Sequence, residues 1–327
     1  MKHSLRVTIW LILFFIISQV LGLFIISQYI GVQETETIDP ITNQTIITKQ
    51  TIAIDLPNNM DRPDFQTSVS FLSYLVIAII LATILFLFLV KMRTVLIWKL
   101  WFFFAVFLCL TISLAAFINQ FLATILGFIL AVWKVGKHNI FTHNLTELFI
   151  YGGLAAILIP IPIVTVNTII VLLILMSFYD AYSVWKSKHM IKMARFQAKS
   201  QLFAGLLVPY KDKKTKTKKS KKITQTKASK KTAPKGKVKV KGIQTAILGG
   251  GDVAFPLLFA GAVLKSLILT NTFPIAFLKT LIIPLFTAIA LLTLFLKGRE
   301  DRFYPALPFL TTGCLIGYAV LLLVNLI

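Results

Sequence analysis

Two acidic residues, Asp180 and Asp252, lie inside long apolar stretches of this sequence. The other ten acids lie in polar loops, beside charged residues or, for Glu147, at the expected start of a helix. A charged side chain is costly inside a lipid bilayer, so an acid within a membrane-spanning segment is a candidate functional residue. Asp180 and Asp252 are therefore the first candidates for chemistry.

Two carboxylates can hydrolyse a peptide bond if the fold brings them together. A pair held about 3 Å apart cannot ionise fully, so it shares one proton over a wide pH range. One carboxylate then acts as a general base on water, and the other protonates the carbonyl or the leaving amine. The same two acids would also suit a proton- or cation-coupled transporter or a leak channel, so both functions are open at this point.

The neighbours of the two acids form short motifs. Tyr179 precedes Asp180, Gly249-Gly250-Gly251 precedes Asp252, and Pro305-Ala306-Leu307 lies at the start of the last apolar segment. Glycines allow close approach of the backbone to a neighbour and weaken a helix that lines a wet cavity. The proline indicates a non-helical lead-in with free backbone groups, or simply the first turn of a helix.

With these motifs the sequence resembles the presenilin and signal peptide peptidase family of intramembrane aspartyl proteases. Its YD, GxGD and PAL motifs match the three segments in the family's order. The resemblance implies that Asp180 and Asp252 are catalytic, and that the other motif residues support the active site or bind substrate. Gly250 departs from the larger apolar residue that relatives often carry, which bears on the preferred cleavage site.

The composition is that of a membrane protein. The chain is 57% hydrophobic and 14% charged, with a mean hydropathy of +0.83, whereas soluble domains are about 45–50% apolar and about 25% charged. The resemblance and the hydropathy together predict an all-α polytopic fold with nine transmembrane helices of about 20 residues each. We predict them at residues 7–30, 68–90, 95–118, 119–135, 146–164, 165–185, 243–264, 273–296 and 307–327.

Basic residues near alternate span ends predict a cytoplasmic N-terminus and an extracytoplasmic C-terminus. The acidic loop 31–67 then lies outside, and Lys134 lies inside. Lys265 and Lys279 do not fit this orientation, because both lie near outer span ends, and we expect their side chains to extend to the outer interface. From the span bounds, Asp180 and Asp252 lie at depths of about 9 Å and about 15 Å from the inner face.

Most of the net charge of +22 lies in one loop. Between Lys186 and Lys241 the chain carries 20 of its 34 Lys and Arg residues and a single acid. A basic chain can indicate nucleic acid, but the lysine-rich residues 211–241 have no interleaved aromatic residues to stack on bases, and we predict no nucleic-acid partner. We expect a largely disordered cytoplasmic segment on anionic lipid. The chain thus divides into residues 1–185 with six helices, the loop 186–242, and residues 243–327 with three helices.

At the end of this loop, residues 237–241 alternate lysine and valine, and an alternation with a period of two is typical of a β-strand. In the resembled family, the segment before the seventh helix pairs with an extended substrate. We therefore expect Val238 and Val240 to support substrate binding.

Other chemistries fit the sequence poorly. There is no His-Glu-x-x-His motif, and the four histidines lie at or beyond the predicted span ends. Cys109 and Cys314 lie in apolar runs and are expected to be buried hydrophobic residues. We predict no metal and no cofactor.

The compact chain resembles prokaryotic, in particular archaeal, relatives that act in the cell membrane without obligatory partner subunits. Its predicted partners are transmembrane segments of other proteins, those with an outside N-terminus by the resemblance. Asn43 begins a glycosylation acceptor pattern in the outer loop.

Overall fold

The computed structural model describes residues 5–38, 45–92, 95–136, 139–187, 203–210, 239–240, 243–298 and 304–326. Within these ranges most residues are helical. The helices are α1 (Leu5–Ser27), α2 (Ser68–Met92), α3 (Val95–Ala115), α4 (Gln120–Gly136), α5 (Ile140–Leu158), α6 (Val166–Tyr182), α7 (Gly250–Leu267), α8 (Phe273–Thr280), α9 (Ile282–Lys297) and α10 (Leu307–Leu326). The strands are β1 (Ile30–Ile38), β2 (Thr45–Ala53), β3 (Gly205–Tyr210), β4 (Lys239–Val240) and β5 (Ile243–Gly249).

Seven helical segments of the described residues are long and apolar enough to cross a membrane. They correspond to α1, α2, α3, α6, α7, α8 with α9, and α10. The two other predicted spans coincide with α4, which has 17 residues, and α5, which has 19 residues and several buried polar side chains. The prediction of a helical protein with many apolar spans is confirmed, while the count of nine and the orientation stay predictions.

The predicted seventh span was wrong at its start. Residues 243–249 form strand β5, in which the buried Ala246 and Leu248 alternate with half-buried neighbours. Gly249 is extended, with φ −63° and ψ 145°, and α7 begins at Gly250. Asp252 therefore lies in the first turn of a helix, not about 15 Å along one.

The predicted eighth span is also interrupted. α8 and α9 meet at Leu281, where φ is −61° and ψ is −15°. Pro284 has no backbone N–H, so the carbonyl of Thr280 cannot receive the usual helical bond. This missing donor accounts for two helices in place of one.

The fifth helix begins six residues before its predicted start at residue 146. Asn139 caps it by accepting the backbone N–H of Phe141, and the helix ends before Pro160. His143 and Glu147 are consequently buried within α5 rather than placed at its end, so the sequence prediction was wrong for both.

The core surrounds α7. In the most apolar 18-residue stretch of α7, 72% is buried inside the protein, whereas in the corresponding stretch of α2 only 11% is buried. The N-terminal helix α1 packs against α5, α7 and α9. The free cysteines Cys109 and Cys314 are both buried, which confirms their prediction as core residues.

The predicted outer loop contains a hairpin that the sequence analysis did not anticipate. β1 pairs antiparallel with β2, from Ile30 opposite Ala53 to Ile38 opposite Thr45. Beside it, the Tyr29 hydroxyl donates a 2.6 Å hydrogen bond to the carbonyl of Ile112, and burial raises the pKa of Tyr29 to about 12. The hairpin is thereby joined to α3; Asn43 lies outside the described residues.

Lys265 does not extend to the outer interface as predicted. The residue is 6% exposed, and its Nζ donates to the carbonyls of Ile159, Ile161 and Val164 at 3.1, 2.6 and 3.1 Å. These carbonyls belong to the turn between α5 and α6, which contains two prolines and lacks a regular hydrogen-bond pattern. Lys265 therefore supplies a charged donor to three carbonyls of this turn, of which that of Ile161 also accepts the Val164 N–H at 3.0 Å.

We expect Lys265→Met to lower the thermal unfolding temperature of the protein in detergent. Three buried carbonyls would lose a charged donor, at a cost of roughly 1–3 kcal/mol. The control is Lys297→Met at the exposed end of α9, which should unfold at the wild-type temperature. Equal unfolding temperatures for the two variants would contradict the capping role of Lys265.

Candidate active site

Asp180 lies two residues before the end of α6 and is 7% exposed. Its Oδ2 accepts the backbone N–H of Leu307 at 3.1 Å. This amide stands at the start of α10, where helix geometry leaves N–H groups without helical acceptors. Asp180 therefore caps the N-terminus of α10, at the positive end of its dipole.

Asp252 lies at the start of its own helix. It is the third residue of α7, in the first turn. A methyl group placed on Gly249 would lie only 3.1 Å from Asp252 Oδ2, so the carboxylate folds back over the residue that precedes the helix. Glycine at position 249 thus leaves room for this orientation of Asp252.

The segment Pro305–Leu307 lies between the two acids. Asp252 and Ala306 line one cavity of about 90 Å³, together with Ile247, Leu248, Leu291, Leu294, Phe295 and Tyr304. A methyl group placed on Gly251 would lie 3.9 Å from Leu307 Cδ1. The structure therefore brings the three sequence motifs to one place, beside a cavity with room for a few water molecules.

The glycines of the GxGD motif are not equivalent. A methyl group on Gly250 would lie 3.2 Å from the Tyr151 hydroxyl and 3.3 Å from the Ala204 carbonyl, both tighter than ordinary contacts. At Gly251 the nearest atom would be 3.7 Å away, in Phe255. Gly249 and Gly250 are thus sterically constrained, whereas position 251 has space for a methyl group.

Tyr179 connects the YD motif to a different helix. Its hydroxyl shares a 2.8 Å hydrogen bond with Thr83 Oγ1 of α2. The bond links α2, the least buried of the apolar spans, to the helix that carries Asp180.

The sheet beside the site has the order β3–β5–β4 and is antiparallel. Pro209 stands opposite Thr245 and has no N–H, so this pair is not hydrogen-bonded. In an antiparallel ladder, hydrogen-bonded and non-hydrogen-bonded residue pairs alternate. The Gly250 N–H donates to the Ala204 carbonyl at 3.2 Å, so this pair is hydrogen-bonded, as the alternation from the Pro209–Thr245 pair requires. The backbone groups of Thr245, Ile247 and Gly249 therefore face away from β3.

The β4 strand pairs with only the first part of β5. Val240 stands opposite Ile243 and Lys239 opposite Gln244; Val238 lies outside the described residues. Among the described strands, none pairs with Thr245–Gly249 on the side away from β3. An open strand edge thus leads directly to Asp252.

A row of polar residues on α5 was missed in the sequence because the fifth span was assigned a later start. His143, Glu147 and Tyr151 are spaced by four residues and share one face of the helix. Glu147 pairs with Lys134 of α4 at 2.8 Å, so Lys134 is a buried ion-pair partner near the end of α4. The four-residue spacing was the available signal.

The described part of the chain contains no cluster of three or more His, Cys, Asp or Glu side chains that could hold a metal ion.

Comparison with known proteins agrees with this arrangement. Residues 14–327 match the family described as signal-peptide peptidase, presenilin aspartyl protease. A solved structure of a presenilin family intramembrane aspartate protease, in space group C222, is similar to this chain with a TM-score of 0.57 and 16% identity, covering 96% of this chain and 97% of that chain. No curated protein matches the sequence. The family match extends over nearly the whole chain, and this protein belongs to the signal peptide peptidase and presenilin family of intramembrane aspartyl proteases.

Proposed function

We propose that Asp180 and Asp252 are the catalytic pair with which this protease hydrolyses peptide bonds inside transmembrane segments of other proteins. The observation that supports this most directly is their shared neighbour. Asp180 accepts the backbone amide of Leu307, and Asp252 lines a cavity with Ala306, the residue next to Leu307. Water in that cavity would lie beside Asp252 and within the reach of a carboxylate pair.

The proposed mechanism requires only these side chains. One carboxylate removes a proton from water as the water attacks the scissile carbonyl, and the other, protonated, donates to the carbonyl oxygen or the leaving nitrogen. The Asp180 carboxylate lies against the N-terminus of α10, and Asp252 lies in the first turn of α7, so each is near a helix dipole end that stabilises negative charge. The alternative of a coupled transporter or leak channel is not supported by the family to which the chain belongs.

The open edge of β5 is the proposed docking place for the substrate. Three residues, Thr245, Ile247 and Gly249, direct their backbone groups to that edge, three to seven positions before Asp252. An extended peptide added there would gain main-chain hydrogen bonds and expose its scissile amide, which a helix would hide. In this arrangement β4 borders the substrate strand at its far end, and Val240 supports the sheet rather than contacting the scissile bond.

The finer topology also stays part of the proposal. We infer nine spans, a cytoplasmic N-terminus and an active site that opens towards the cytoplasm. The orientation rests on the distribution of basic residues among the loops. The polybasic loop, most of which lies outside the described residues, would contact anionic lipid. By the same resemblance, the protein would act in the cell membrane of an archaeon, on substrates with an outside N-terminus and without obligatory partner subunits.

Asp180→Asn and Asp252→Asn should each abolish cleavage of a transmembrane peptide by the purified protein in detergent. Loss of a general acid or base costs about 10²–10⁴-fold in rate. The exposed acid Asp64 offers a control, because Asp64→Asn should cleave at the wild-type rate. Full activity in either catalytic variant would contradict the proposed pair.

The glycine contacts predict different effects at neighbouring positions. Gly249→Ala places a methyl group against the Asp252 carboxylate and should lower kcat by about 10–100-fold, since small displacements of a catalytic group are costly. Gly251→Ala has room for its methyl group and should retain most of the activity. Peptide-cleavage rates for the matched variants test this, and equal losses would show that the Gly249 contact does not control Asp252.

If the substrate pairs with β5, the effect of removing a backbone N–H on cleavage should alternate from one substrate residue to the next. In a series of peptides with a single N-methylated amide, alternate residues should lose cleavage, because only every second N–H faces β5. The intervening positions serve as the matched controls. A uniform loss or no loss along the series would argue against an added strand.

A further inference from the structure

A buried ion pair lies beneath the active site, between α4 and α5. Lys134 Nζ is 2.8 Å from Glu147 Oε1, and the two side chains are 1% and 2% exposed. Lys134 also donates to Thr146 Oγ1 at 3.0 Å. Two charges in such a place are expensive unless they are paired and hydrogen-bonded, so a functional role is a reasonable expectation.

The ion pair holds a tyrosine. Oε2 of Glu147 accepts the Tyr151 hydroxyl at 2.5 Å, while Oε1 is held by Lys134. Tyr151 lies two turns from His143 and one turn from Glu147 on the same face of α5, and it is 4% exposed. Its ring and hydroxyl are therefore confined to one orientation.

The hydroxyl of Tyr151 lies against the GxGD motif. It is the nearest atom to a methyl group placed on Gly250, at 3.2 Å, and the ring atom Cε1 follows at 3.3 Å. The contact thus reaches the first turn of α7 two residues before the carboxylate.

The same face of α5 holds the strand that supports this turn. Asn144 binds the backbone of Leu207 twice, donating to its carbonyl at 2.7 Å and accepting its N–H at 2.9 Å. His143 Nε2 lies 2.8 Å from the carbonyl of Gly205. Because β3 pairs with β5 and Ala204 accepts the Gly250 N–H, α5 supports the motif through the sheet as well as through Tyr151.

We propose that Tyr151, fixed by the Glu147–Lys134 pair, is a positioning residue that sets the place of Asp252 through its contact with Gly250. The contact also explains glycine at position 250, since any side chain there would meet the tyrosine hydroxyl. The proposal rests on the proposed catalytic function of Asp252. It identifies α5 as a part of the active site outside the YD, GxGD and PAL motifs.

The primary test is Tyr151→Phe in the full-length protein, with kcat and KM measured for a transmembrane peptide. Loss of the hydroxyl frees the ring from Glu147 and should lower kcat by about 10-fold or more, with KM unchanged, because the substrate does not contact Tyr151. The control is Tyr318→Phe. Tyr318 lies on α10, and its ring packs against Phe259, which is on α7 but farther along the helix than Asp252. Tyr318→Phe should keep the wild-type kcat.

A coupling experiment separates positioning from general stability. Gly250→Ala should lower kcat when Tyr151 is present, and should cost less in the Tyr151→Phe background, because the two changes disturb the same contact. If Tyr151→Phe unfolds in detergent, the fall in kcat of the Gly250→Ala variant against Gly251→Ala carries the test.

The outcomes distinguish this proposal from the one on which it rests. If the wild type cleaves, Asp252→Asn does not, and Tyr151→Phe equals the wild type, then the positioning role is wrong and the catalytic pair stands. Additive losses for Gly250→Ala and Tyr151→Phe would also overturn the positioning role. If Asp252→Asn cleaves as well as the wild type, both proposals fail.

Discussion

The hydrogen bond between the Leu307 amide and the Asp180 carboxylate joins the last helix to the sixth, across more than a hundred residues of chain. It satisfies two needs at once, because an unpaired amide at a helix start and an uncompensated carboxylate are both unfavourable in an apolar interior. The bond also determines the place of Ala306, which lines the cavity beside Asp252. The geometry of the proposed active site thus depends on one helix cap.

The same constraint recurs wherever this protein buries a charge. Lys265 donates to the carbonyls of the turn between α5 and α6, and Lys134 pairs with Glu147. Both lysines lie where no water is available to satisfy their partners, so the protein must supply each donor and acceptor itself. Cations that look like topological signals in the sequence therefore have structural roles in the fold.

The small sheet has a consequence for the chemistry that a purely helical site would lack. Seven residues before α7 are extended, and the glycines at the junction allow the carboxylate of Asp252 to fold back over Gly249. One edge of β5 is held by β3, which α5 anchors through Asn144. On the other edge, none of the described strands pairs with Thr245–Gly249, and an edge of this kind is suited to pairing with an extended peptide.

The sequence by itself determined the two acids, the three motifs, the apolar spans and the membership of a family, because these are properties of residue type and order along the chain. It also indicated the strand at Lys239–Val240 through its alternation. Its errors lie where short-range pattern is ambiguous: the apolar run before Gly250 has the hydropathy of a helix but pairs as a strand.

Only the tertiary structure decided that Asp180 caps α10, that Tyr151 meets Gly250, and that Lys134 and Lys265 are buried. Each of these contacts joins residues of different helices, or of a helix and a turn, and its free energy depends on burial and on the loss of water. Hydropathy is a local average and carries no information on which buried donor will meet which acceptor. For this reason the catalytic candidates were readable from the chain, whereas the residues that hold them in place were not.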